Sequence, residues 1–205
     1  MKTVEHSATS LVIGGFVPFS ATDYPDHLCA VVFCQGCPWR CGYCHNAHLQ
    51  PRRGSTRTAW KDVLAFLGKR RGLLDAVVFS GGEPTIQRGL GSAMRAVRAM
   101  GFKVGLHTAG IDPTRLAEVL PFTDWVGFDV KADFVRYEDI TRVRHSGERA
   151  RRSAELIVAS GVAHEFRTTV DETRITSDDL VRLRSAVHRM GADRYVLQPC
   201  RPVMP

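Results

Sequence analysis

No apolar run in the 205 residues is long enough to cross a bilayer, which argues against a membrane-spanning helix. The amino-terminal run Met1–His6 has no apolar signal core, so the expectation is a cytoplasmic protein in a reducing compartment. No repeat recurs at a fixed period, and no low-complexity segment interrupts the chain. The formal charge of +7 is spread over helices with interspersed acids. The Arg-Arg pairs at 52–53, 70–71 and 151–152 are short and carry no aromatic stacking pattern, so no nucleic-acid partner is expected. Length points to one domain over residues 1–205, with 1–10 as a loose tail. There is no second cysteine cluster. Four of the six cysteines fall within Phe33–Asn46.

Three of those four, Cys37, Cys41 and Cys44, are spaced C-x3-C-x2-C. Thiolates on one short loop can converge on an inorganic cluster, because soft sulfur donors select iron–sulfur or zinc. A four-iron cluster held by three cysteines keeps one iron open to a substrate or cofactor. A structural zinc site wants four closed ligands. His45 or Cys34 could complete such a set, so spacing alone leaves zinc open, with disulfides or inert thiols behind it. Cys29 and Cys34 read as buried thiols, and Cys200 has no assigned role.

The rest of the chain alternates strands and helices. Residues 11–19 read as a short strand or extended lead-in, and 20–26 as turn-rich. Strands are expected at 27–33, 75–79, 103–107, 124–130, 163–170 and 194–197. Helices are expected at about 58–70 with Thr58 as cap, 87–100, 112–120, 147–160 and 177–190 with Ser177 as cap. Residues 47–57, 133–146 and 198–205 read as loop. Six parallel strands with right-handed crossovers follow, and both a flat doubly wound sheet and a barrel satisfy that pattern.

The chemistry-bearing residues lie at the carboxyl ends of those strands. Gly81-Gly82-Glu83 follows the second, and a carboxylate or backbone carbonyl there can accept from an ammonium. Thr108 closes the third, beside His107, which reads as a core histidine. Asp129 and Lys131 sit two apart on the fourth and share one face. Arg167 lies on the fifth. A curved sheet brings all these ends to one mouth, and six units make an incomplete barrel.

The C-x3-C-x2-C motif with aromatic Tyr43 before its last cysteine resembles the signature of radical S-adenosylmethionine (SAM) enzymes. The wider string Phe33–Asn46 resembles glycyl-radical-enzyme activases, and the likeness extends from Gly14 to about Pro199. It implies an incomplete (βα)6 TIM-type barrel, with a [4Fe–4S] cluster on Cys37, Cys41 and Cys44. It also implies SAM contacts from Tyr43, Gly81, Gly82, Glu83, Thr108, Asp129, Lys131 and Arg167. It places Ser20 and Asp23 beside the cluster.

The implied activity is that of an oxidoreductase. It cleaves SAM reductively to a 5′-deoxyadenosyl radical and installs a glycyl radical on a partner, expected to be anaerobic ribonucleoside-triphosphate reductase. A one-electron donor such as flavodoxin or ferredoxin is expected. Where many activases carry Asp-Thr-Asn-Gly linked to a monovalent cation site, this chain has His107-Thr108-Ala109-Gly110. A histidine expected near the sixth strand is missing, with Arg201 nearest. The alternatives are a small-molecule radical SAM enzyme like the 7-carboxy-7-deazaguanine synthases, and a zinc-stabilised non-catalytic module. The former usually lack the Cys44-His45-Asn46 run.

Overall fold

The computed structural model describes residues 11–54, 58–192 and 194–200. Seven strands form one sheet in chain order. They are β1 (Ile13–Ser20), β2 (Cys29–Cys34), β3 (Ala76–Gly81), β4 (Lys103–Thr108), β5 (Trp125–Asp129), β6 (Ala163–Val170) and β7 (Tyr195–Pro199). β2 to β7 run parallel, and β1 lies antiparallel on β2. The six expected parallel strands are therefore present, and the lead-in is a seventh. β1 and β7 do not pair, so the barrel is incomplete.

The helices are α1 (Trp60–Gly68), α2 (Leu90–Ala99), α3 (Pro113–Val119), α4 (Tyr137–Thr141), α5 (Ser146–Ser160) and α6 (Ser177–Arg189). The strands' period of two sorts the core into two clusters. Val32, Val77, Phe79, Leu106, Val126, Phe128 and Phe166 face the helices and form the large one. Val31, Ala76, Val78 and Trp125 point into the barrel and form a small one, joined by Tyr24 from the turn after β1. The Tyr24 ring packs at a tilt 5.3 Å from Trp125 and 4.5 Å from His27, so this turn plugs the barrel from below.

That plug corrects one expectation. Ser20 pairs with Cys29 at the amino end of β2, whereas the cysteine loop leaves from Cys34 at the other end. Ser20 donates to Asp23 Oδ2 at 2.5 Å and stays away from the loop. From Asp23 the carbonyl reaches upward to His107 Nε2 at 2.8 Å, and the carboxylate stands 4.0 Å from Nδ1. An antiparallel partner carries its far end to the bottom of the strand it pairs with, which linear order does not reveal.

Other boundaries shift for local reasons. Helix α1 starts after Ala59 with no side-chain cap, not at Thr58. Helix α6 is capped by Thr176, whose hydroxyl accepts from Asp179 N–H while the Asp179 carboxylate accepts from Thr176 N–H, a reciprocal box. α4 occupies the stretch read as irregular, because Tyr137 and Ile140, three apart, both bury. A 3-10 turn at Ala47–Leu49 folds the loop after the cysteines. Gln198 and Pro199, read as loop, close β7.

Tyr24→Ala would empty the barrel floor. The expected cost is about 3 kcal/mol, seen as a lower urea midpoint at unchanged slope.

Candidate active site

The cysteine loop is held on both sides. Gly36 N–H donates to Leu49 O at 2.7 Å, Cys37 N–H to Gln50 O at 3.0 Å and Arg40 N–H to Thr141 O at 2.9 Å. The buried Gln35 side chain donates to Pro51 O at 2.7 Å. Trp39 is buried and meets the Tyr137 ring edge-on at 5.6 Å. Trp39 and Tyr43 thus anchor the loop inward.

The Gly81-Gly82-Glu83 turn runs directly against this loop. Gly82 N–H donates to Cys34 O and Glu83 N–H to Gly36 O, both at 2.9 Å. A Cβ on Gly81, whose φ is +120°, would lie 2.3 Å from Cys34 N, and one on Gly82 would lie 2.4 Å from Gly36 O. These glycines therefore permit backbone against backbone. Glu83 is buried, and its carboxylate accepts from Thr85 N–H (3.0 Å), the Thr85 and Thr108 hydroxyls (2.6 Å each) and Ala109 N–H (3.0 Å). Burial pushes its pKa up, while the donors from Thr108 and Thr85 pull the other way. Glu83 locks the end of β3 to the end of β4.

On the opposite wall, Asp129 Oδ2 accepts from Lys131 Nζ at 3.2 Å, and Oδ1 from Arg167 Nη2 at 3.1 Å. Burial works against both charges. The two cations nonetheless hold Asp129 well below the carboxylate range, and Asp129 holds Lys131 well above the usual lysine value. Arg167 lies behind Asp129 and Thr169 takes its place in the cleft lining. His107 also faces the cleft. Burial, then the Arg167 guanidinium, lowers its pKa to about 4, so it is neutral at pH 7. Its Nε2 donates to Asp23 O, which leaves Nδ1 as the acceptor.

These walls enclose about 760 Å³ of empty space, part of it open to solvent. Cys37, Cys41, Cys44, Tyr43, Gly81, Gly82, Glu83, Thr108, Asp129 and Lys131 all line it. Of the expected cluster ligands and SAM contacts, only Arg167 stands back from the lining, and Ser20 and Asp23, expected beside the cluster, do not line it either. Arg201 lies outside the described residues. Ser80, His107 and Thr169 were missed as lining residues. The period-two face they share with Gly82, Asp129 and Arg167 was the available signal.

The three thiols are half-buried and form no disulfide. Burial, then the Glu83 carboxylate, raises Cys37 to about 12, with Cys41 and Cys44 adding to it. Burial also raises Cys41 against the opposing pull of Lys131. Thiolates there need a compensating cation, which the iron of a bound cluster would supply. The Tyr43 hydroxyl is buried beside them without a partner among the described residues. Three sulfur donors around one cleft suit a polynuclear iron–sulfur cluster.

Two expected outcomes test this geometry. Asp129→Asn strands two cations and should cost about 2 kcal/mol, less than a fully buried pair because a third of Asp129 is exposed. His107 keeps a folded pKa of about 4, below the ordinary 6.5. Stability should therefore fall as pH drops from about 6.5 toward 4, and His107→Gln should flatten that slope in pH-dependent urea titrations.

The profile of the radical SAM superfamily matches residues 31–173. A Methanocaldococcus jannaschii protein named provisionally as a glycyl-radical enzyme activating enzyme is 31% identical over 93% of this chain and 80% of its own. The pyruvate formate-lyase-activating enzyme of Clostridium pasteurianum is 33% identical over 49% of this chain and 44% of its own. The crystal structure of Streptococcus suis SuiB bound to S-adenosylmethionine shares the fold at a TM-score of 0.65, covering 83% of this chain and 40% of that one at 18% identity. The chain belongs to the radical SAM superfamily, whose enzymes work with a [4Fe–4S] cluster and S-adenosylmethionine.

Proposed function

We propose that the protein is a glycyl-radical-enzyme activase and that its partner is anaerobic ribonucleoside-triphosphate reductase. The observation that carries the reading is one cleft lined by three thiols of an eight-residue loop, the Gly81–Glu83 turn and the Asp129–Lys131 pair. The names borne by the M. jannaschii and C. pasteurianum relatives support the activase class. The Cys44-His45-Asn46 run supports it over a small-molecule enzyme.

Cys37, Cys41 and Cys44 would hold three irons of the cluster. When bound, cluster and SAM supply a reductively generated 5′-deoxyadenosyl radical that takes a hydrogen atom from the partner's glycine. The chain's own residues bind and orient. The Gly82 and Glu83 backbone lines the floor of the cleft and would accept from the SAM amino group. Lys131 keeps its charge and offers a cation to a carboxylate, with Asp129 as its counter-ion and an acceptor for ribose hydroxyls. Tyr43 contributes its buried ring and an unused hydroxyl. Trp39 and Tyr43 close the loop side against water. Among the described residues β1 and β7 do not pair with each other, and such an open side suits a glycine presented on a macromolecule.

The test begins with anaerobically reconstituted protein, dithionite and SAM. Wild type should release 5′-deoxyadenosine, and Cys41→Ala should release none. Adding anaerobic ribonucleotide reductase should give a glycyl-radical doublet by electron paramagnetic resonance, whereas pyruvate formate-lyase should give none. A doublet on pyruvate formate-lyase alone would overturn the assigned partner.

A further inference from the structure

No acid occurs between Asp26 and Asp62, a stretch that contains the whole cysteine loop. Arg40, Arg52 and Arg53 within it are exposed and, among the described residues, make no salt bridge. The Arg40 guanidinium donates to the carbonyls of Cys37 (2.5 Å) and Trp39 (3.0 Å), which fixes its charge onto the loop. Arg52 is equally close: its Cα lies 3.6 Å from where a Cβ on Gly36 would stand. Arg142, also exposed and unpaired among the described residues, follows Thr141, whose carbonyl accepts from Arg40 N–H.

Nearby acids are already engaged. Asp139 pairs with Arg136, Asp171 with Arg174, and Glu138 accepts from His145 N–H at 2.6 Å. The exposed side of the loop that carries the three thiols therefore presents one sign of unpaired charge among the described residues. Single-sign patches steer partners of opposite charge and set their association rate. Nucleic acid fits this face poorly, because its aromatics Trp39 and Tyr43 point inward, 2% and 6% exposed, and offer no platform for bases.

We infer that this outer basic face of the cysteine loop docks an acidic one-electron donor protein. The inference rests on the activase reading, which needs an electron delivered to the group the three thiols hold. The cleft side is taken by SAM and the substrate glycine, so the outer side is the remaining short approach. The step is the transfer of one electron: the donor is oxidised by one electron, the cluster is reduced by one, and no bond forms or breaks.

The experiment uses reduced flavodoxin as the acidic donor and dithionite as a donor that needs no docking. Arg52→Glu/Arg53→Glu is compared with Arg149→Glu/Arg152→Glu on α5, which removes the same formal charge outside the loop. Two readouts are followed at low and high salt: flavodoxin affinity by titration, and bleaching of the reconstituted cluster. With flavodoxin, the loop variant should lose about tenfold or more in affinity and rate at low salt, and its salt dependence should flatten. With dithionite it should match wild type. The α5 variant should behave as wild type with both donors.

Unchanged flavodoxin affinity in the loop variant would overturn the inference. So would an equal loss in the α5 variant. Neither readout involves glycyl-radical formation, so failure here and failure of the activase reading are distinguishable.

Discussion

Everything at the mouth depends on two backbone segments touching. The ends of β2 and β3 continue side by side past the sheet, joined by Gly82 N–H to Cys34 O and Glu83 N–H to Gly36 O. Any side chain at 81 or 82 would occupy the backbone of the neighbouring loop. Because the two segments cannot separate, the cysteine loop sits at a fixed height over the cleft. Glu83 extends the same restraint to β4 through Thr108 and Ala109. Three strand ends thus move as one body, and a buried carboxylate with four donors is what holds them. A group so fully hydrogen-bonded is inexpensive to bury and costly to strip of its partners.

The opposite wall works by charge. Asp129 takes one cation on each oxygen, while His107 stays neutral, so the wall carries one surplus positive charge from Lys131 and Arg167. That balance follows from register. Asp129 pairs with Arg167 across β5 and β6, and His107 lies two positions along the same inward face of β4. The inner column Tyr24, Trp125, His107 links this wall to the plug below, with ring separations of 5.3 and 5.5 Å. A small apolar floor supports a polar upper barrel, while the larger apolar cluster between sheet and helices supplies most of the burial.

Much of this was legible before folding. The apolar runs of β2 and β3, buried on both faces, could only be interior parallel strands. The cysteine spacing narrowed the chemistry to iron–sulfur or zinc, because soft sulfur donors on a short loop converge on one metal group, and the likeness to radical SAM enzymes chose between them. Legibility failed where partners come from afar. Thr176 outranked Ser177 as the α6 cap because Asp179, three residues on, completes the box. Helix α4 is five residues long, too short to display a period, and exists because Tyr137 packs on Trp39. The turn at 20–26 carried no sign that it would fold beneath the barrel, since antiparallel pairing of β1 alone decides that.

The sequence by itself determined the alternation of strands and helices, the parallel core of the sheet and the identity of the ligand-bearing loop. All three depend on local periodicity and covalent spacing, which survive without knowledge of any distant contact. Tertiary structure alone decided that Glu83 binds Thr85, Thr108 and Ala109, that Arg167 stands behind Asp129, and that the arginines of two loop segments share one face. Those outcomes depend on which side chains meet across strands and loops, and a carboxylate or guanidinium takes its role from whichever partner the fold delivers.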